Sequence, residues 1–133
     1  SIIEAMAEHT PCIATPVQAI PEFVKDGLNG LMLPLDVDEL GHWIQPEGIK
    51  HGDAAYEAFF ADEVEKLADH ALAAIRPYIA APEKMLPLRR AARLTAEKMF
   101  SDRVASEQSS TDPKNDPLDV SSLTISDIED QLA

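Results

Sequence analysis

The chain has 133 residues, of which 45% are hydrophobic and only 5% aromatic, and its formal net charge is −13. This length allows one domain with a modest core built mainly from aliphatic and alanine side chains. The acidic balance argues against nucleic-acid binding through a general basic surface, although a nucleotide needs only a local cradle of backbone donors. Cys12 is the single cysteine, so no internal disulfide forms, and we expect a cytoplasmic protein.

The first third of the chain alternates between helix and strand signals. Ser1 and Glu4 have the spacing of a capping box and predict a helix to about residue 8. Two short apolar runs, Cys12–Thr15 and Leu31–Leu33, predict strands buried on both faces, and Pro21 predicts a helix between them. Because each connection contains a helix, we expect the two strands to be parallel.

A third helix is expected directly after the second strand. Asp36 and Glu39 repeat the capping-box spacing, and Leu40, Trp43 and Ile44 follow at the spacing of one helix face. Residues 1–44 therefore predict a partial Rossmann-like α/β domain in the order α-β-α-β-α. The chain starts at a helix cap without a preceding strand, so we expect it to be the C-terminal part of a larger protein.

The remaining two thirds are expected to be helical and then disordered. Residues 45–105 predict a helical C-terminal extension, broken into pieces by Pro77, Pro82 and Pro87. Residues 106–133 hold seven acidic residues and one lysine, and their Ser, Asp and Pro content predicts a disordered acidic tail. A weak apolar stripe at its end indicates either a frayed terminus or a short docking helix.

The histidines and a group of arginines are further candidate site residues. The four histidines lack metal-ligand spacing, so no metal site is expected. Arg89, Arg90 and Arg93 form a basic cluster. One alternative is that the cluster is a solvated surface paired with nearby acidic residues. The other is that it contacts a partner, either a preceding N-terminal domain or the inner, cytoplasmic face of an anionic membrane.

Five segments together resemble one enzyme family: Ile3–Ala7, Pro11, Ile20–Glu22, Asp26–Leu31 and, more loosely, Met99–Ser101. In this order they resemble the C-terminal nucleotide-sugar domain of retaining glycosyltransferases of family 4. These enzymes have the GT-B architecture, in which two Rossmann-like domains face each other across a cleft. The resemblance covers residues 1–44 and implies transfer of a hexose from a nucleoside diphosphate sugar to a hydroxyl acceptor, in polysaccharide or glycolipid synthesis, without a cofactor.

The resemblance also implies roles for individual residues. Glu4 matches the second glutamate of the family's Glu-x7-Glu pattern, which implies that its carboxylate accepts hydrogen bonds from the nucleotide ribose. The first glutamate would precede Ser1. Independently, the backbone N–H groups of Ser1, Ile2 and Ile3 at the start of the first helix are candidate donors to the diphosphate. The capping box by itself also explains Glu4, so both roles stay open.

The chain departs from the family pattern at two glycine positions. His9 stands where the family often has glycine, and Gln18-Ala19 stands where it often has two glycines. Histidine tolerates a left-handed backbone, at a cost. We expect the chain alone to be inactive. The alternatives are a fragment of another two-Rossmann enzyme such as a sugar-nucleotide epimerase, a non-catalytic remnant or interaction module, or a truncated gene product.

Overall fold

A computed structural model describes residues 1–108 as a mixed α/β chain that is mostly helical. The elements are α1 (Ile2–Ala7), β1 (Ile13–Ala14), α2 (Ile20–Phe23), β2 (Leu31–Met32), α3 (Ala54–Ala80), a 3-10 turn (Pro82–Lys84) and α4 (Met85–Gln108). This order follows the predicted alternation as far as β2. It is consistent with part of a Rossmann-like domain.

The two short strands pair in parallel, as the sequence predicts. Ile13 lies opposite Leu31, and the N–H of Leu31 donates to the carbonyl of Cys12 at 2.9 Å. Only glycine fits at position 30, where the chain before β2 comes close to the Cys12 backbone, because a Cβ on Gly30 would lie 2.7 Å from the Cys12 oxygen. The prediction that both strands are buried on both faces is wrong for β1, where Ile13 is exposed and only Ala14 is buried.

The predicted third helix is absent, and a small hairpin takes its place. Val37 and Trp43 form an antiparallel bridge, and the Asp38 N–H donates to the His42 carbonyl. The Asp38 carboxylate accepts from the N–H groups of His42 (2.8 Å) and Leu40 (2.9 Å), and these bonds lower its pKa, the His42 bond most. An aspartate that binds nearby backbone donors competes with helix formation, and this turn contains Gly41 at a φ of +79°.

The core lies where α1 and α4 pack against α2 and β2. Met6, Val24, Ala92 and Ala96 form its buried cluster. Arg89 contacts the carbonyl of His9 beyond the end of α1, whereas residues later in α4 lie beside the start of α1, so the two helices run antiparallel. The small alanines of α4 allow α1 to approach closely, which places the whole length of α1 against α4.

The helical region contains fewer breaks than its prolines predict. α3 continues past Pro77 to Ala80, and α4 begins at Met85 and includes Pro87. Pro87 is tolerated because N–H groups in the first helical turn have no partner within the helix. Pro77 lies in the last turn of α3, where only three residues follow it. The break occurs at Pro82, which starts the 3-10 turn.

The tail lies almost entirely outside the described residues. The sequence predicts disorder in the tail from residue 106, which is wrong for residues 106–108, because α4 continues through them to Gln108. The rest of the predicted disorder and the terminal apolar stripe concern residues 109–133, which lie outside the described part. Within residues 1–108, no helix is long and apolar enough to cross a membrane.

Candidate functional site

Glu4 lies in the first turn of α1 with its carboxylate free to contact a ligand. Its side chain is 83% exposed. The amino terminus of Ser1 donates to Oε2 at 2.7 Å, and the Ser1 hydroxyl accepts from the Glu4 N–H at 3.4 Å, completing the predicted capping box. The hydrogen bond and the charge of this ammonium lower the pKa of Glu4. A carboxylate has about four acceptor positions, so the cap leaves several unused.

The Glu4 carboxylate lies at the edge of a groove between α1 and α4, which we call the Glu4 groove. Its volume is about 450 Å³; α1 contributes Ile3, Glu4 and Ala7, and α4 contributes Arg93, Glu97 and Phe100, among others. The α4 side chains recur at intervals of three and four residues, so they form one helix face. The fold thus places the candidate ribose-binding carboxylate beside a concave surface.

The other three predicted binding residues lie at the same end of α1. Ser1 is the N-cap, and Ile2 and Ile3 are the first helical residues. Two of the three side chains have a structural role, because Ile2 and Ile3 pack against the buried core cluster. The backbone N–H groups of Ile2 and Ile3 precede the first intrahelical hydrogen bond and remain donors at the helix start, whereas the Ser1 nitrogen already donates to Glu4. α1 has only six residues, so its dipole adds little to them.

Two arginines of the basic cluster bind the opposite end of α1. Arg93 donates from its guanidinium to the Ala7 carbonyl, and Arg89 Nε donates to the His9 carbonyl at 3.2 Å. Carbonyls at a helix C-terminus have no intrahelical donor, so these arginines cap α1. Arg90 is exposed and makes no hydrogen bond or ion pair to another described residue.

The two positions where the family resemblance places glycine have left-handed backbones. His9 has a φ of 58° and Gln18 a φ of 50°, and within residues 1–108 they are the non-glycine residues with positive φ. Gln18 is held by a hydrogen bond from its N–H to the Gly41 carbonyl at 2.9 Å. The chain therefore keeps the backbone conformation that glycine favours while it carries bulkier side chains there.

No metal centre is formed by the residues that the structure describes. Across residues 1–108 there is no group of three or more histidine, cysteine, aspartate or glutamate side chains placed to hold a metal ion. His42 instead faces Asp38 at 3.2 Å, and His51 packs on the ring of Tyr56. Both histidines thus have local structural contacts.

Sequence reasoning missed part of the Glu4 groove and a separate aromatic cluster. It did not place Phe100 and Arg93 with Glu4, although their helical spacing would have put them on one face of α4. It also missed a cluster in which Trp43 stacks on Phe59 at 5.4 Å and contacts Phe60 at its edge. Trp43 and Phe60 line a second, apolar cavity of about 220 Å³ near Thr15 and Leu35. That cluster depends on the hairpin that the sequence misassigned as a helix.

One comparison with known proteins gives a match. Residues 1–45 match the family described as glycosyl transferases group 1. The match supports a glycosyltransferase domain of this group in the segment that holds α1, the two strands and Glu4. No curated protein and no solved structure matches the chain.

Proposed function

We propose that this chain carries part of the donor site of a retaining, GT-B type glycosyltransferase. The intact enzyme transfers a hexose from a nucleoside diphosphate sugar to a hydroxyl acceptor, in polysaccharide or glycolipid synthesis. The observation that carries the proposal is the position of Glu4: an exposed, ionised carboxylate beside the Glu4 groove, within the segment that matches glycosyl transferases group 1.

Glu4 is suited to hold a ribose. Two adjacent hydroxyls of the sugar donate to the carboxylate, which is 83% exposed and ionised at neutral pH. Hydrogen bonds to a charged group are worth about 1.5–3 kcal/mol. The backbone N–H groups of Ser1, Ile2 and Ile3 lie nearby and are proposed to face the diphosphate.

The remaining parts of the reaction are proposed to come from residues that precede this chain. Stabilising the departing diphosphate is a large electrostatic contribution in such transfers, and the family resemblance assigns it to basic side chains and helix dipoles. Acceptor binding would come from a preceding N-terminal domain. Arg90, exposed on α4, is a candidate contact with that domain or with an anionic membrane at its cytoplasmic face. We therefore expect no transferase activity from this chain alone.

Calorimetric titration with uridine and guanosine diphosphates tests the proposal. Glu4→Gln should weaken binding about tenfold or more, because it removes the charge while glutamine still completes the capping box. Glu22→Gln, at an acidic residue in the first turn of α2, is the matched control and should bind as the unchanged chain does. Equal affinity of Glu4→Gln and the unchanged chain would contradict a role for this carboxylate.

An interaction module without catalysis is the second candidate. The family match ends at residue 45, and beyond it α3 exposes Phe60, Val64, Leu72 and Ile79. Exposed apolar side chains on one helix favour a protein partner. A folded chain that binds neither nucleotide would support this function.

A further inference from the structure

Phe100 is an exposed aromatic side chain at one end of the Glu4 groove. Its side chain is part of the groove lining, yet the residue is 69% exposed. Arg93 marks the end of α1 through its bond to Ala7, and Phe100 lies about two turns, or about 10 Å, further along the antiparallel α4. The ring therefore lies beyond Glu4, level with the start of α1.

The charges of the groove determine which part of a nucleotide it can accept. Arg93 and Glu97 form a 2.7 Å ion pair, and the Glu4 carboxylate is paired with the Ser1 ammonium at 2.7 Å. Among the lining residues, Arg93 is the only cationic side chain, and its charge is already balanced by Glu97, so the groove offers no unpaired cation to an anionic diphosphate. An uncharged ribose and base need no such partner, and the lining that they would contact includes the apolar side chains of Ile3, Ala7 and Ala96.

We propose that Phe100 stacks on the nucleobase of the sugar nucleotide while Glu4 holds its ribose. This inference rests on the proposed function and extends it, because it assigns the base to α4, outside the segment that matches the family. Every nucleobase has a π-face, so an aromatic ring binds it without strong sequence preference. The adjacent Ser101, also in the groove lining, presents a hydroxyl that can donate to or accept from the edge of the base.

The proposal is tested by titrating the full chain and its variants with uridine diphosphate and with ribose 5-phosphate, which lacks the base. Phe100→Ala should weaken uridine diphosphate binding about tenfold, the usual scale for losing one stacked ring, and leave ribose 5-phosphate binding unchanged. Phe100→Tyr should keep the affinity. Ile79→Ala is the control, because Ile79 is 70% exposed and lies on α3, outside the groove lining. Circular dichroism checks that each variant is folded.

The outcomes separate this inference from the proposed function. Nucleotide binding that depends on Glu4 but not on Phe100 overturns the stacking role and leaves the donor site standing. Equal losses of affinity for both ligands in Phe100→Ala overturn it as well, since they would show a general change of the groove. A folded chain that binds no nucleotide overturns both.

Discussion

A buried hydrogen bond between Asn29 and Thr95 offers the sharpest test of how the fold is held together. The Asn29 side-chain amide donates to the Phe23 carbonyl at 2.8 Å and to Thr95 Oγ1 at 3.0 Å, and its oxygen accepts from the Lys25 N–H at 2.7 Å. The Thr95 hydroxyl in turn donates to the Ala91 carbonyl at 2.8 Å. These bonds join α4 to the turn that precedes β2.

Thr95→Val removes the acceptor and keeps the shape of the side chain. Asn29 is only 2% exposed, so water does not replace the lost partner, and one amide N–H stays buried without an acceptor. Such a group costs about 1–3 kcal/mol. The Ala91 carbonyl keeps its helical hydrogen bond, so the loss falls on Asn29, and we expect the free energy of unfolding to decrease by about 2 kcal/mol.

Urea unfolding followed by circular dichroism measures this change. In an Asn29→Ala background the same Thr95→Val substitution should cost much less, because the donor is already gone. Thr10→Val, at an exposed threonine whose hydroxyl faces the Glu8 carbonyl, should change the stability by less than about 0.5 kcal/mol. If Thr95→Val cost the same with and without Asn29, the loss would arise from packing, and the reasoning would be refuted.

Four further predictions concern α1 and the turn at its C-terminal end. Acetylation of the Ser1 amino group should raise the pKa of Glu4 toward its usual value, since the hydrogen bond and the charge of the ammonium are the largest causes that lower it; an NMR titration of the carboxyl carbon measures this, and an unchanged pKa would contradict it. The same depressed pKa means that Glu4 stabilises the fold above about pH 4.5 and that this contribution is lost as the pH falls. Arg93→Met should destabilise the chain by about 1 kcal/mol by uncapping Ala7, whereas Arg90→Met should not. His9→Gly should stabilise it by up to about 1 kcal/mol in thermal unfolding, because φ is 58° there; a lower melting temperature would show that the imidazole makes a compensating contact.

Local sequence signals were sufficient to predict α1 and the parallel direction of the two strands. The Ser1–Glu4 capping box forms as its spacing predicts, since both partners lie within one helical turn. The parallel pairing of β1 with β2 also follows from the chain order, because a connection that contains a helix leaves few other topologies. In both cases the deciding interaction lies close in sequence.

The prediction of a third helix was wrong because contacts within the hairpin and with Gln18 outweighed the local helix-start signal. Asp36 and Glu39 have helix-start spacing, yet the structure uses Asp38 to bind two backbone N–H groups of the turn. A side chain on Gly41 would collide with Gln18, since its Cβ would lie 2.5 Å from the Gln18 nitrogen. Gly41 and Gln18 are more than twenty residues apart in the sequence, so the hydrophobic periodicity of residues 36–44 alone could not have predicted their close approach.

His9 and Gln18 have a left-handed backbone although neither is a glycine. Both positions take φ values that cost a residue with a Cβ about 1–2 kcal/mol. The cost at Gln18 is offset by its bond to Gly41, and the Arg89 bond to the His9 carbonyl fixes the other position. Backbone geometry is thus retained by contacts from the hairpin and from α4. The side chains at these two positions occupy space that glycine would leave open, so a molecule that approaches either position meets a bulkier surface than a chain with glycine there would present.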